Sequence, residues 1–420
     1  MQEKDFQKIF PRKFLWGAAT AAHQVEGGNY NQWTVWELEN AKVKSAQAEY
    51  QYDDWDNWSQ IKRYALDPSN YVSGKLANHY ARYAEDFDLL QKMHMNAFRF
   101  SIEWSRVEPS EGVWSAKEIG HYKDYIDDLN RRGIEPIATL FHFTLPVWFA
   151  EKGGFEKRSN VKYFNRFAKK IVSELGPRLK YIITINEPEG YAASSYYFQD
   201  WPPAIHNPYK FWRVLNNLAL AHRQSAKIIH GLSSRYKVSI AKNSIYSYPG
   251  DNTWLSRIST KRMQYFQDDY FIKKVIKYCD FLGVNYYQSN RLCGSRVHNP
   301  DKKLSDLNWD MQPADIQFTL ERLYAKYKKP ILITENGLAD SEDKDRKWWI
   351  TETIIAMQHA IKNGVKLQGY LHWSLIDNFE WAYGRWPRFG LAEINYKTGE
   401  RKLRPSAQWF GRVIKKIRNV

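Results

Sequence analysis

Eight short apolar runs recur along the chain of 420 residues, and helical patterns separate them. This alternation is typical of a parallel sheet wrapped by helices. Eight strands can close on themselves, so we predict an α/β fold, a (β/α)8 TIM barrel with long loops over the carboxyl-terminal mouth. The predicted strands are Phe14 to Ala21, Asn96 to Ser101, Glu135 to Phe141, Tyr181 to Asn186, Lys237 to Lys242, Phe281 to Asn285, Ile331 to Thr334 and Leu367 to Trp373.

Caps and apolar spacing mark the helices between these strands. Ser115 and Glu118 form a capping box that begins one helix, and Gly176-Pro177 ends another. The positions predicted to face inward are Ile119, Tyr122, Ile126 and Leu129 in the first helix, and Phe164, Phe167, Ile171 and Leu175 in the second. Because no internal repeat or Pro/Gly-rich linker interrupts the chain, we expect residues 1–420 to form a single domain.

The segment from about residue 30 to residue 78 has weak periodicity and many aromatic residues, including Trp33, Trp36, Trp55 and Trp58. We predict that it is a long loop after the first strand, lying over the mouth of the barrel. Its tryptophans are expected either to pack the loop against the barrel or to contact a ligand.

The net charge of +16 invites a nucleic-acid or membrane partner. However, basic pairs such as Lys169-Lys170 and Lys415-Lys416 are dispersed along the chain, which is typical of solvated helix faces. We therefore expect neither partner. Cys279 and Cys293 show no spacing that would hold a metal, so no metal or cofactor is predicted.

The segment that begins Met1-Gln2-Glu3-Lys4-Asp5 leads to no apolar run of a signal peptide. No run in the sequence approaches 18 apolar residues, so no membrane-spanning helix is predicted. We expect a cytoplasmic enzyme.

Two of the apolar runs deliver a glutamate into a turn, at Glu187-Pro188 and at Glu335-Asn336-Gly337. The carboxyl ends of barrel strands are where catalytic residues lie, so closure of the barrel would bring both glutamates to one mouth. Hydrolysis of a glycosidic bond needs one protonated carboxyl group and one carboxylate on either side of a sugar. We predict Glu187 as the general acid and Glu335 as the nucleophile, supported by Arg99 and by a tyrosine at 286 or 287.

Several linked motifs resemble glycoside hydrolase family 1, the retaining β-glucosidase and β-galactosidase family, from Phe14 to Ser406. The first-strand motif runs from Phe14 to Gly27, and the second-strand motif from Arg99 to Arg106. The others are Asn285-Tyr286-Tyr287, Ile333-Thr334-Glu335-Asn336-Gly337 and the stretch from His372 to Trp381.

The resemblance implies a β-D-glucoside or a related galactoside, fucoside or oligosaccharide as the substrate. It implies that Glu187 is the acid/base, that Glu335 is the nucleophile, and that Arg99 and Tyr287 support Glu335. The implied sugar-binding residues are Gln24, His142, Asn186, Asn285, Tyr287, Trp373, Glu380, Trp381 and Phe389. The mechanism would retain configuration, with the two carboxyl groups about 5 to 5.5 Å apart.

Four positions depart from the family pattern. Phe143-Thr144 follows His142 where many relatives have Trp and Asp, Glu189 stands where Trp is common, and Arg385 replaces a usual Tyr. These changes bear on the substrate, and Glu189 is expected to place a third carboxylate near the mouth.

Three alternatives stay open. A 6-phospho-β-glycosidase would suit the positive charge, but Glu380 would repel a phosphate dianion. A non-catalytic glycan-binding relative would not need two mutually repelling glutamates. Transglycosylation would use the same residues as hydrolysis and cannot be separated from it by sequence.

Overall fold

Residues 9–299 and 303–420 are described in a computed structural model. The segment Met1 to Asp5, on which the expectation of no signal peptide rests, lies outside these residues. Eight parallel strands form a closed barrel, and they carry the labels β1 to β8 in chain order. Their bounds are β1 Leu15–Ala19, β2 Ala97–Ser101, β3 Glu135–Phe141, β4 Tyr181–Asn186, β5 Lys237–Asn243, β6 Leu282–Tyr286, β7 Ile331–Asn336 and β8 Leu367–Trp373.

The pairing of the first strand with the last closes the barrel. Gly17 in β1 lies opposite Ala97 in β2 on one side and opposite Leu371 in β8 on the other. All eight predicted strands are present, and their ends differ from the predicted ones by at most two residues. The prediction of a (β/α)8 barrel is confirmed.

Helices surround the barrel and extend its mouth. Their bounds are α1 Ala22–Val25, α2 Gln32–Tyr52, α3 Trp58–Ala65, α4 His79–Lys92, α5 Trp104–Val107, α6 Ala116–Arg131, α7 Val147–Glu151, α8 Val161–Leu175, α9 Pro188–Tyr196, α10 Pro208–Leu232, α11 Trp254–Gln264, α12 Tyr270–Val275, α13 Ile316–Tyr327, α14 Arg346–Lys362 and α15 Pro405–Arg418. None of the helices in the described ranges is both long and apolar enough to cross a membrane.

Shorter elements complete the described chain. One small sheet contains the strands Tyr246–Pro249, Ser289–Cys293 and Arg296–Val297, and a second pairs Ala392–Ile394 with Arg401–Leu403. Single turns of 3₁₀ helix cover Pro68–Tyr71, Gly154–Glu156, Arg158–Asn160, Gly176–Arg178, Ile276–Tyr278, Pro313–Asp315 and Trp381–Tyr383, and one π-helical turn covers Tyr265–Asp269.

The predicted helix caps are found, with one change of partner. The Ser115 side chain accepts a hydrogen bond from the Glu118 backbone N–H and begins α6. The Glu118 carboxylate accepts a hydrogen bond from the Tyr80 hydroxyl of α4, so Glu118 also links two neighbouring helices. All eight positions predicted to face inward in α6 and α8 are buried, which confirms the apolar spacing as the signal that docks these helices on the barrel.

The segment around residues 30–78 is largely helical, so its prediction as a loop is wrong. Asn31 caps α2 by accepting a hydrogen bond from the Thr34 N–H, and α2 then continues to Tyr52. The buried residues of α2 are Trp33, Glu37, Ala41, Ser45, Ala48 and Tyr52. They recur at spacings of three and four, but Glu37 and Ser45 are polar. A search for apolar periodicity therefore misses this helix.

Irregular pairing occurs at the two strands that carry the predicted catalytic glutamates. Between Ile183 and Asn186, β4 contains one residue more than the paired stretch of β5. Between Ile333 and Glu335, β7 contains one residue more than the paired stretch of β6. Such bulges redirect side chains, and here they lie directly before the two glutamates.

We expect replacement of Gly17 by Ala to lower the free energy of unfolding by roughly 1–3 kcal/mol, the usual cost of overpacking. A Cβ at Gly17 would lie 2.0 Å from the Ala97 carbonyl oxygen, so β1 and β2 would have to separate. Gly120→Ala in α6 is the matched control, because a Cβ there meets nothing within 4 Å. The free energy of unfolding of the control should rise by about 0.4–1 kcal/mol. Equal changes in the two variants, measured by denaturant titration, would contradict this account.

Candidate active site

A cleft of about 450 Å³ opens at the carboxyl ends of the barrel strands. It falls within the usual size range of sites for small molecules. The predicted site residues that line it are His142, Asn186, Glu187, Tyr287, Glu335, Trp373, Glu380, Trp381 and Phe389. Gln24, Arg99 and Asn285 lie behind these walls and contact them through hydrogen bonds. The structure thus brings every predicted site residue to one place, while their roles stay predictions.

The Arg99 guanidinium joins three strands beneath the cleft. Arg99 is fully buried in β2 and donates to Glu335 in β7 and to the Asn186 side-chain oxygen at 2.8 Å in β4. Its Nε also donates to Thr139 at 2.9 Å in β3. A guanidinium has five N–H donors in a fixed planar arrangement, so Arg99 supplies a positive charge directly beside Glu335.

Glu335 is surrounded by hydrogen-bond donors. The Tyr287 hydroxyl donates to one carboxylate oxygen at 2.8 Å, and Arg99 donates to the other. Burial raises the pKa of Glu335 above its ordinary value, while the charge of Arg99 and the hydrogen bonds from Tyr287, Arg99 and Asn285 oppose this rise. These donors favour the carboxylate form of Glu335 over its acid.

Glu187 has a different environment. Its carboxylate accepts one hydrogen bond from the neutral amide of Asn285 at 2.7 Å, and the described residues place no cation within ion-pair distance of it. Burial, followed by the negative charge of Glu335, raises the pKa of Glu187 to about 8. Glu187 also has a positive φ of 38° directly before α9, which turns its side chain away from the strand direction.

The hydrogen bonds around Asn186 fix the protonation of His142. The Asn186 side-chain oxygen accepts from Arg99 and from Asn285, so its NH₂ group must point to His142 Nε2, 3.1 Å away. His142 Nε2 is therefore the acceptor and Nδ1 carries the proton. Burial keeps the pKa of His142 well below its ordinary value, and Nδ1 has no partner among the described residues. His142 can thus donate one hydrogen bond to a ligand.

Glu380 and Gln24 form the opposite polar wall of the cleft. Gln24 donates to Glu380 at 3.4 Å and to the Phe379 carbonyl oxygen at 2.8 Å. The Gln24 side-chain oxygen has no protein partner in the described chain. Burial, together with the charges of Glu335 and Glu187, raises the pKa of Glu380 to about 8. A carboxyl group and a free amide oxygen in this position can bind hydroxyl groups.

Aromatic rings close the remaining sides. Trp373 and Trp381 both stack against His142, with ring centroids 5.8 and 6.1 Å apart. Phe389 meets the edge of Tyr287 at 6.1 Å. Flat apolar faces beside polar groups suit a sugar ring, which presents C–H groups on its faces and hydroxyl groups around its edge.

Three departures from the family pattern have structural explanations. Phe143 takes up the space beside Trp381 and Trp201, with ring centroids 5.1 and 4.7 Å apart. The Thr144 hydroxyl donates to Glu103 at 2.9 Å. Arg385 donates from Nε to the Val72 carbonyl oxygen at 2.9 Å and so ties the segment after α3 to the barrel.

The fourth departure, Glu189, faces away from the cleft. Its carboxylate lies 3.5 Å from the buried Lys242 ammonium, which is 3.7 Å from Asp268. Burial raises the pKa of Glu189 to about 7. Glu189 therefore does not line the cleft, because the Lys242 ammonium of β5 holds its carboxylate beside that strand. Lys242 stands in a buried strand, and this signal could have revealed the partner of Glu189.

Sequence reasoning missed several residues of the cleft wall. Lys44, Gln51 and Tyr52 come from α2, rather than the tryptophans of that segment. The others are Gly190, Ser194, Asp200, Trp201, Asn243, Trp309, Ala382 and Tyr383. No motif precedes them, because nearly all of them lie on connections whose path depends on tertiary packing. Within residues 9–299 and 303–420 no cluster of His, Cys, Asp and Glu is suited to a metal ion.

Comparison with known proteins agrees with this geometry. Residues 6–288 and 273–418 match the profile of glycosyl hydrolase family 1. Beta-glucosidase A of Acetivibrio thermocellus is 29% identical, with 97% of this chain and 98% of that protein covered. A 6-phospho-beta-galactosidase of Clostridium acetobutylicum is 28% identical, with 96% of each covered.

A solved structure is similarly close. The beta-glycosidase from Pyrococcus horikoshii superposes with a TM-score of 0.85 at 33% identity, and the match covers 97% of this chain and 95% of that one. The match of the family profile extends over nearly all of the sequence. The chain belongs to glycosyl hydrolase family 1.

Proposed function

We propose that the protein is a retaining β-glycosidase, of the β-glucosidase type, which hydrolyses β-D-glucosides and related β-glycosides by double displacement. Residues 1–420 would form one catalytic domain. The relatives named above support the reaction class, and the contacts in the cleft support the assignment of roles. No metal or cofactor takes part in the proposed reaction.

The observation that carries the proposal is the unequal environment of the two glutamates. Glu335 contacts the cation of Arg99 and the hydroxyl of Tyr287. Among the described residues, the Glu187 carboxylate accepts a side-chain hydrogen bond from the neutral amide of Asn285 and contacts no cation, and its pKa is about 8. At neutral pH one proton shared by this pair therefore resides on Glu187. An acid beside a carboxylate is the arrangement that glycoside hydrolysis requires.

In the first step, the Glu335 carboxylate attacks the anomeric carbon while Glu187 gives its proton to the departing oxygen. The glycosidic C–O bond breaks, and a glycosyl ester of Glu335 forms. Esterification removes the negative charge of Glu335, which is the second cause of the raised pKa of Glu187. Glu187 has already given up its proton, and the lower pKa keeps it ionised, so it can take a proton from the water that cleaves the ester and restores the Glu335 carboxylate.

The sugar would lie between the polar and aromatic walls. Glu380 and Gln24 would accept hydrogen bonds from hydroxyl groups on one edge of the ring. His142 Nδ1 and the amides of Asn186 and Asn285 would serve the opposite edge. Trp373, Trp381 and Phe389 would pack against the C–H faces.

A 6-phospho-β-glycosidase is the second candidate, because one relative is a 6-phospho-beta-galactosidase. In the cleft, however, Glu380 would have to approach the phosphate. It lies among two further glutamates, whose charges already raise its pKa. A dianion would add to the negative charge that already raises this pKa, and the described residues place no cation within ion-pair distance of Glu380, so the neutral sugar is the better substrate.

The experiment that tests the function is a screen of aryl β-D-glucoside, galactoside, fucoside, mannoside and 6-phosphoglucoside, with proton NMR of the first-formed sugar. We expect turnover of the neutral glucoside with the β-anomer formed first. Formation of the α-anomer would contradict the covalent intermediate on Glu335. Preference for the 6-phosphoglucoside would contradict the role of Glu380.

We expect Glu335→Ala to lose turnover of every substrate. Glu187→Ala should lose about 10²- to 10⁴-fold on alkyl glycosides, whose leaving groups need a proton, and far less on dinitrophenyl glycosides. Glu189→Gln is the matched control, since Glu189 lies only two residues away, in the first turn of α9, but its carboxylate contacts Lys242. Its losses should be small and equal on both substrates. A uniform loss in Glu187→Ala would contradict its role as the acid.

The pH dependence should follow the proton on Glu187. Because the acid must be protonated, kcat/KM should fall as the pH rises through about 8. Glu335→Gln removes a negative charge and should lower the pKa of Glu187, whereas Lys242→Met removes a positive charge and should raise it. Carboxyl-carbon NMR titration measures both shifts without requiring activity. Shifts of the same sign in the two variants would refute this assignment of charges.

A further inference from the structure

Helix α11 exposes its apolar residues and buries small polar ones, which is the reverse of an ordinary surface helix. Trp254 is 72% exposed, and Leu255 and Ile258 are also exposed. The small polar residues Ser256 and Thr260 are the buried ones. A surface helix normally buries its apolar stripe, so the outward stripe of α11 indicates a surface that contacts something other than water.

A row of aromatic rings begins directly after α11. Tyr265 and Phe266 follow α11 directly, with ring centroids 5.2 Å apart, and both are exposed. Phe266 lies 6.1 Å from the exposed ring of Trp212 on α10. Trp212 in turn packs on Phe211, and Phe211 lies 6.3 Å from Tyr197 after α9.

Tyr197 and its neighbour Phe198, which is 61% exposed, end the row. We call the exposed members of this row and of α11 the aromatic face: Tyr197, Phe198, Trp212, Trp254, Leu255, Ile258, Tyr265 and Phe266. Clustered exposed apolar side chains of this kind mark interaction sites on protein surfaces.

Basic side chains surround the aromatic face. Arg257, Lys261 and Arg262 lie exposed on α11, and Lys273 lies over the Tyr265 ring at 4.8 Å. Arg213 is exposed beside Trp212. Among the described residues, none of these five has a carboxylate within ion-pair distance. The nearby Asp268 and Asp269 are buried and already paired with Lys242, Arg322 and Lys326.

We infer that the aromatic face binds the surface of an anionic lipid bilayer, as a peripheral contact. Exposed Trp, Tyr, Phe, Leu and Ile side chains with interspersed Lys and Arg are the combination that enters the boundary between headgroups and acyl chains. The unpaired cations would meet the negative charge of the lipid headgroups. Because no described helix can span a membrane, the contact would be superficial.

Charge decides between a bilayer and a second copy of the chain. The protein carries a net charge of +16, and two copies joined through this face would bring two sets of unpaired cations together. Like-charge repulsion opposes such a dimer, whereas an anionic surface removes it. The expectation of no membrane partner is therefore revised. It rested on the dispersal of basic residues along the sequence, and the fold brings Arg213 and Lys273 beside the three basic residues of α11.

Flotation with vesicles tests the inference on the full-length protein. We expect binding to phosphatidylcholine vesicles that contain roughly a quarter phosphatidylglycerol, and at least tenfold less binding to pure phosphatidylcholine. Binding should weaken as salt is added. The variant Trp254→Ser/Ile258→Ser/Phe266→Ser should bind at least tenfold less than the wild type. Because these three side chains are exposed, the variant should keep the wild-type melting temperature.

A charge-reversed variant separates local from overall charge. Lys261→Glu/Arg262→Glu/Lys273→Glu should lose at least tenfold in binding to anionic vesicles. The control Lys157→Glu/Lys169→Glu/Lys362→Glu changes the net charge equally, at exposed positions outside the aromatic face. It should keep most of the binding to anionic vesicles. Equal losses in the two triple variants would overturn the inference. So would a wild-type dimer that ignores vesicles and dissociates in the serine variant, as measured by sedimentation.

Discussion

The acidic residues at the mouth of this barrel depend on the contacts of one buried cation, the guanidinium of Arg99. Carboxylates taken out of water are costly unless a cation and hydrogen-bond donors face them. Arg99 meets this requirement from β2 by contacting Glu335 and Asn186 on two other strands. It can do so only because the barrel is closed. The charge state of the site therefore depends on the arrangement of β2, β4 and β7 in the closed barrel.

Much of the barrel could be predicted because its signals are local. Each strand is a short apolar run, and runs such as Tyr181–Asn186 and Leu367–Trp373 end where the sequence pattern ends. The two glutamates stand out because a β-branched run stops directly before or beside each of them. What brings them together is not local: the bulges in β4 and β7 and the left-handed backbone of Glu187 arise from pairing with other strands.

The errors have a common physical origin. Helix α2 was missed because its buried stripe includes Glu37 and Ser45, which an apolar pattern does not count. The pairing of Glu189 with Lys242 is not visible in the sequence, because Glu189 lies on α9 and Lys242 on β5. Three of the basic residues around the aromatic face lie on α11, and the fold brings Arg213 of α10 and Lys273 of α12 beside them. In each case a polar or charged contact across elements decided the outcome.

The raised pKa values of Glu187 and Glu380, both about 8, give the empty cleft a further property. At neutral pH Glu187 and Glu380 therefore hold protons that two carboxyl groups in water would have released. A ligand whose hydroxyl groups donate to Glu380 favours the ionised form of Glu380. Binding of such a ligand therefore releases protons into the buffer. The heat of binding would then vary with the ionisation enthalpy of the buffer, and titration calorimetry in several buffers would count the protons displaced.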